Sequence, residues 1–184
     1  MPTWAIILIV VVVLLLIWFV TTYNGLVVLR NKVRNQFSQI DVQLKKRYDA
    51  IPNLVEIVKG YAKHEKSTFE EIVNARNVYG NAKTTEEKIK ANSELSKTLT
   101  HLFALAENYP ELKSNENFLS LQADLKDIEE KISYARQFYN DAVMSYNNKT
   151  EMFPSSIAAA IGGFKREAFF EAEAKERENV KVEL

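Results

Sequence analysis

The chain contains no cysteine, only two histidines, five glycines and four prolines in 184 residues, and no surplus of charge of either sign. Each shortage excludes something. Without cysteine there are no disulfides, thiolate metal sites or cysteine nucleophiles, although the compartment stays undetermined. With 24 Lys and Arg balanced by 24 Asp and Glu, no global basic field points to a nucleic-acid backbone, so nucleic acid is not expected as a partner. A di-iron helical bundle needs Glu-x-x-His motifs, but His64 follows Tyr61 at that spacing and His101 follows Thr98. No Gly-rich nucleotide loop, nucleophile elbow or serine-lysine motif is present, so no catalytic residue, metal or cofactor is expected.

What the chain does have is one long hydrophobic run. From Trp4 to Val20 no charged or polar residue occurs, and Thr21, Thr22 and Tyr23 extend the segment to about 20 residues, roughly the 30 Å of a bilayer core. Summed on an insertion scale, its apolar residues favour the membrane by roughly 5 kcal/mol or more. Trp4, Trp18 and Tyr23 lie near its ends, where aromatic rings favour the interface. A cleaved signal peptide would carry a basic leader and a small-residue cleavage site, whereas Met1-Pro2-Thr3 and Thr21-Thr22-Tyr23-Asn24 supply neither. Arg30, Lys32 and Arg34 follow the run, so the positive-inside rule sets the N-terminus outside and the bulk of the chain in the cytoplasm. These three cations are also the candidates for contact with lipid headgroups. Lys45, Lys46 and Arg47 would stand some 30 Å beyond the span on a straight helix, outside screening range.

Beyond the run the apolar residues recur at steps of three and four, which predicts an all-α protein. One stripe runs Phe37, Ile40, Leu44, Tyr48, Ile51, Val55, Val58 and Ala62, extends back through Val33 and Leu29, and leads forward to Phe69 and Val73. It crosses Pro52 without losing phase. The expectation is one helix from about residue 26 to 79, about 80 Å long, kinked where the bond from residue 52 to residue 48 is missing. Shaping the helix around its neighbours is the plain purpose of that kink; freeing the Tyr48 carbonyl for a partner is the functional one. A second helix opens at Thr84 and Glu87, which have capping-box spacing, carries Ile89, Leu95, Leu99, Leu102 and Ala106, and ends at Tyr109-Pro110. A third, capped by Ser114 or Asn115, repeats Leu121, Leu125, Ile128, Ile132, Ala135, Tyr139, Ala142 and Tyr146 at an average of 3.5 residues, as in bundles and coiled coils. After Phe153-Pro154 a short apolar helix runs to Ile161 and closes at Gly162-Gly163. From Lys165 to Leu184 the chain is charge-rich, has no docking stripe, and is expected to fray.

Several charged residues fall beside the apolar stripes: Asp41, Glu56, Glu65, Arg76, Glu107, Glu129 and Arg136. Arg76 and Arg136 each follow an alanine, which leaves room for a guanidinium between helices, and Glu107 or Glu129 would be the carboxylate partner. Their plain reading is ion pairs that fix helix register; the functional reading is a polar ligand pocket.

The N-terminal run, Tyr23-Asn24, Arg30-Asn31, the segment QIDVQLKKRYDAIPNLVEIVKGYAKHE (39–65), Ala75-Arg76, AENYPELK (106–113), Ala135-Arg136, Tyr139-Asn140, Tyr146-Asn147, Phe153-Pro154 and Gly163-Phe164 together resemble the LemA family of bacterial membrane proteins. The resemblance covers nearly the whole chain except the charged tail, and makes Pro52 and Asn53 a hallmark. It implies a transmembrane helix with a very short outer N-terminus, followed by a cytoplasmic antiparallel helical bundle, and no established activity. The resulting expectation is an all-α architecture: a membrane helix (1–29), an elongated bundle of three long helices and a short C-terminal one (30–164), and a charged tail (165–184). The expected function is that of a non-enzymatic, membrane-anchored interaction or scaffold protein of the bacterial cytoplasmic membrane. Its partners would be the lipid bilayer and membrane or membrane-proximal proteins, with a homo-oligomer as a further arrangement. A ligand-binding or signalling receptor with a polar pocket is the alternative, and a metal-dependent or hydrolytic enzyme comes last.

Overall fold

Wherever the apolar residues keep the three-four rhythm, the chain is helical, and no strand occurs among the described residues. The computed structural model describes residues 2–62 and 65–170. Six helices follow in order: α1 (Thr3–Tyr61), α2 (Lys66–Asn81), α3 (Thr85–Ala106), α4 (Pro110–Lys113), α5 (Glu116–Glu151) and α6 (Ser155–Ile161). The N-terminal part of α1 is long and apolar enough to cross a membrane.

Helix α1 continues through Pro52, which lies with Asn53 on its exposed side. The stripe does not reach residue 79 on one helix, because α1 ends at Tyr61 and α2 begins at Lys66. Among the described residues there are therefore four longer helices and not three. Gly60, which costs about 1 kcal/mol relative to alanine inside a helix, sits one residue before the end of α1. The break resets the phase: Phe69, Ile72, Ala75 and Tyr79 form the buried face of α2, and Val73 is exposed instead of continuing the α1 stripe.

Local chemistry fixes the other ends. Thr84 Oγ1 accepts from the Glu87 amide while the Glu87 carboxylate accepts from the Thr84 amide, a complete capping box at the start of α3. Tyr109, ahead of Pro110, is held out of the helical region at φ −121° and ψ 86°, and Pro110 opens α4. Asn115 Oδ1 accepts from the Phe118 amide at 3.0 Å and caps α5. At the end of α6, Gly163 takes φ +66°, and the amides of Gly163 and Phe164 bond the carbonyls of Ala160 and Ala159, a Schellman closure.

The chain divides into two compact units, with α1 and α5 each contributing to both. In the first (residues 1–38 and 137–169), Leu26 and Val33 of α1, Tyr139, Ala142, Val143 and Tyr146 of α5, and Ala158 and Ala159 of α6 are buried, together with Phe164. Gly162 is required there, because a Cβ would lie 2.5 Å from the Phe164 ring and 2.9 Å from that of Tyr23. In the second (residues 39–136 with Phe170), the core joins Ile51, Leu54, Val55 and Val58 to Phe69 and Ile72 of α2, Leu95, Leu99 and Leu102 of α3, Leu112 of α4, and Phe118 and Leu125 of α5. Each fully buried leucine or isoleucine contributes roughly 2 kcal/mol through lost contact with water.

Residues 165–170 do not fray. Tyr139 donates its hydroxyl to the Ala168 carbonyl at 2.8 Å and Tyr146 to the Lys165 carbonyl at 2.9 Å. Asn147 both donates to the Glu167 carbonyl and accepts from its amide. Docking of 165–168 comes from backbone hydrogen bonds, which an apolar stripe does not report, and Phe170 adds a buried ring. The remainder of the tail, 171–184, lies outside the described residues.

Candidate functional site

Three helices of the second unit meet at Arg47. It sits three residues after Leu44 and four before Ile51, so the turn of α1 carries it onto the buried face and not, with Lys45 and Lys46, into solvent. Its Nη1 donates to Asn92 Oδ1 at 2.8 Å and to Ser96 Oγ at 2.9 Å, both on α3, and its Nη2 pairs with the Glu129 carboxylate on α5. Arg136 Nη2 stands 3.6 Å from the other Glu129 oxygen, with its guanidinium 5.3 Å from the Phe170 ring centre. One carboxylate thus bridges two arginines, while neutral acceptors on α3 share the charge of Arg47. Such a network is strongly position-specific, because removing one member strands a buried charge. Beside it, between α3 and α5, lies a groove of about 760 Å³ walled by Leu99, Phe103, Leu119 and Gln122, with Arg47, Ser96 and Glu129 on its lining.

Pro52 has its consequence at Arg76. Because residue 52 has no amide hydrogen, the Tyr48 carbonyl lacks its helical donor. Arg76 of α2 donates Nε to that carbonyl at 3.3 Å and lays its guanidinium 4.0 Å from the centre of the Tyr48 ring. The expected carboxylate partner for Arg76 is replaced by an orphaned carbonyl and an aromatic face. A protein group thus takes the acceptor that the proline releases. Gly80 permits the arrangement, since a Cβ there would lie 3.1 Å from the Tyr48 hydroxyl.

The other residues singled out in the sequence disperse. Asp41 accepts from Lys88 at 2.6 Å and from the Tyr79 hydroxyl at 3.4 Å. Burial, followed by the Asp41 charge and that hydrogen bond, pushes the Tyr79 hydroxyl above its ordinary pKa. Glu65 accepts from Tyr109 at 3.2 Å. Glu56 is exposed, and so is Glu107, which pairs with Lys113 and not with an arginine. In the first unit Arg30 stacks 4.8 Å from the Phe164 ring centre, whereas Lys32 and Arg34 are exposed. Burial, with a smaller contribution from Glu167, raises the Tyr139 hydroxyl to about 12. His101 is exposed, and His64 lies outside the described residues. Among the described residues, no three His, Asp or Glu side chains gather as metal ligands.

Arg47, Asn92 and Ser96 escaped the sequence reading, yet a signal was present. Asn92 falls three residues after Ile89 and three before Leu95, a polar residue on the face that buries Leu99 and Leu102. A buried polar side chain at such a position needs a partner on another helix.

These features define a class: an all-helical protein with one helix of membrane-spanning length and apolarity, and a helical bundle whose embedded charges are tied to one another. Within that class the chain belongs to the LemA family, whose model matches residues 36–184. It is 23% identical over 182 residues to magnetosome protein MamQ of Magnetospirillum gryphiswaldense, covering 83% of this chain and 67% of that protein. It is 24% identical over 175 residues to MamQ 2 of Paramagnetospirillum magneticum, covering 81% and 64%. With protein LemA of Metamycoplasma hominis it shares 26% over 165 residues, covering 88% and 74%. The chain therefore spans about two thirds of the length of the MamQ proteins it matches.

Proposed function

We propose that this protein is a single-pass, membrane-anchored interaction module without catalytic activity, its N-terminus outside and its bundle on the cytoplasmic face of a bacterial membrane. The orientation rests on Arg30, Lys32 and Arg34 just after the apolar run. The role rests on one observation: the embedded cations of the bundle are engaged by its own groups, while large apolar side chains outside the apolar run point outward. On the second unit these are Val73 and Val78 of α2 and Leu119 and Tyr134 of α5, the last 70% exposed. A surface that leaves such side chains uncovered suits protein contact. Its partners are membrane or membrane-proximal proteins, or a second copy of the chain, and not nucleic acid. Photocrosslinking from Val78 and Tyr134 in living cells, read by mass spectrometry, should recover a discrete adduct from each. Absence of both a partner and a dimer at the two positions would reject the role.

The groove between α3 and α5 favours a second reading, a receptor for a small anionic ligand reached from Arg47. In that case Ala123→Trp, which fills the groove from its exposed wall, should abolish ligand-induced thermal stabilisation while leaving the apo melting temperature within a few degrees.

A further inference from the structure

The corner between α5 and α6 belongs to no feature assigned so far. From Met152 to Phe164 the chain carries no charged residue, an uncharged stretch flanked by Lys149 and Glu151 on one side and by Lys165, Arg166 and Glu167 on the other. Within it Met152 is 63% exposed, Phe153 81%, Ile157 47% and Ile161 68%. Ser155, Ala158 and Ala159 form the opposite, buried side of the short helix. Four large apolar side chains thus face outward from one corner of the first unit, while small residues pack inward.

Two independent relations set the level of this corner along α1. Helix α5 runs antiparallel to α1, because the Tyr139 ring packs edge-on against Phe37 at 5.8 Å and, seven residues later, Tyr146 feels the charges of Arg30 and Arg34. Five further residues take α5 to its end at Glu151, which brings the following Met152 and Phe153 close to the level of Tyr23. The chain then returns through α6 to the same place: the Phe164 ring meets that of Tyr23 at 5.3 Å, and Gly162 lets the backbone approach the Tyr23 ring. Tyr23 is three residues, about 5 Å, past the last residue of the apolar run. With Trp4 at the other end, the run has the length of a bilayer core, so Tyr23 marks its boundary.

We infer that the α5–α6 corner is a second membrane contact, with Met152, Phe153, Ile157 and Ile161 seated at the junction of headgroups and acyl chains of the bilayer that α1 spans. The occupant is lipid because the corner lies where the apolar run ends and carries no charge of its own; of the charges around it Glu151 pairs with Arg166 at 3.5 Å, which leaves Arg30, Lys149 and Lys165 as the cations that complement anionic headgroups. The unit then meets the membrane along two lines, the axis of α1 and the corner, which fixes its rotation about α1 as well as its depth. The inference rests on α1 being a transmembrane helix.

The absence of native cysteine makes single-site labelling direct. The full chain with Val20→Cys, Asp141→Cys, Phe153→Cys or Ile161→Cys would each carry an environment-sensitive fluorophore in vesicles of phosphatidylethanolamine and phosphatidylglycerol. Nitroxide lipids and aqueous iodide serve as the two quenchers, and Met152→Cys replaces Phe153→Cys if the latter lowers the melting temperature. Labels at 153 and 161 should lose most of their emission to a nitroxide placed high on the acyl chain and little to iodide. The label at 141, about 18 Å back along α5, should show the reverse. If Val20 is lipid-quenched while 153 and 161 respond only to iodide, the corner contact is wrong and the span stands. Labels at 153 and 161 shielded from both quenchers would mean that protein covers the corner, which also overturns it. A Val20 label that iodide quenches and lipid nitroxides do not would reject the span itself, and the corner with it.

Discussion

The two units of this protein are closed by different chemistry. In the first, neutral side chains of α5 recognise backbone: Tyr139, Tyr146 and Asn147 bind the main chain of Ala168, Lys165 and Glu167. In the second, charged side chains recognise one another and selected polar groups, Arg47 with Glu129, Asn92 and Ser96, and Arg136 with Glu129. The neutral clamp holds a segment whatever its side chains, so the sequence from 165 to 168 is free to be charged and solvated. The ionic junction does the opposite, admitting only one register of α1, α3 and α5, because a slip by one residue strands a buried guanidinium.

The comparison breaks first at Glu129. Glu129→Leu removes the carboxylate that Arg47 and Arg136 share, and should lower stability by about 3 kcal/mol, the low end of the usual range because the carboxylate is partly exposed. For a chain of this size that is a fall in melting temperature of roughly 6–12 °C. Amide exchange should rise across residues 39–136 with 137–169 little affected; uniform loss would show that the units do not differ in this way. Alkaline pH is the next lever. Tyr139 titrates near 12 in the folded chain and near 10 when unfolded, so the folded state keeps a proton that the unfolded state loses. Its contribution is intact below pH 10 and disappears towards pH 12, at no more than about 1.4 kcal/mol per pH unit. Tyr139→Phe should flatten the fall of melting temperature over that window, and an unchanged slope would show that the hydroxyl is not the titrating group.

Asn147→Ala removes two hydrogen bonds of the neutral clamp and should cost about 1–2 kcal/mol, with exchange rising at residues 165–168 before anywhere else. The smallest effect sharpens the role of Pro52. Arg76→Met should cost about 1 kcal/mol in the native chain, since a part-buried carbonyl then loses its donor. In a Pro52→Ala background, where the amide of residue 52 can serve Tyr48, the same substitution should cost measurably less. Equal costs in a double-mutant cycle would mean that Arg76 acts only through the Tyr48 ring.

Much of the architecture was legible in order of residues. The capping box at Thr84, the start of α5 after Asn115, and the Gly162-Gly163 closure were all readable, because each depends on atoms within five residues of one another. Misreadings arose where a distant partner decided the outcome. The stripe through Ala62 seemed to continue into α2 because Phe69 falls in phase, yet α1 ends at Tyr61 and α2 chooses its own face against α3. Glu107 looked like an arginine partner and is a surface residue, while Arg47 looked like part of a surface cluster and is a buried hub. The docking of 165–168 left no apolar trace, since its bonds are to backbone, and Phe170, which is buried, is a single anchor and not a stripe.

The sequence by itself determined that this is a helical protein with one helix fit to cross a membrane, where most of its helices begin and end, and that Pro52 lies inside a helix. These follow from periodicity, capping and the total apolarity of a contiguous run, all of which act over a few neighbouring residues. Only the tertiary structure decided which charges are buried, that the carbonyl freed by Pro52 goes to Arg76, and that Phe164 returns to the ring of Tyr23. A charge is buried or exposed according to partners such as Asn92, 45 residues away from Arg47 along the chain, and no local pattern encodes that distance.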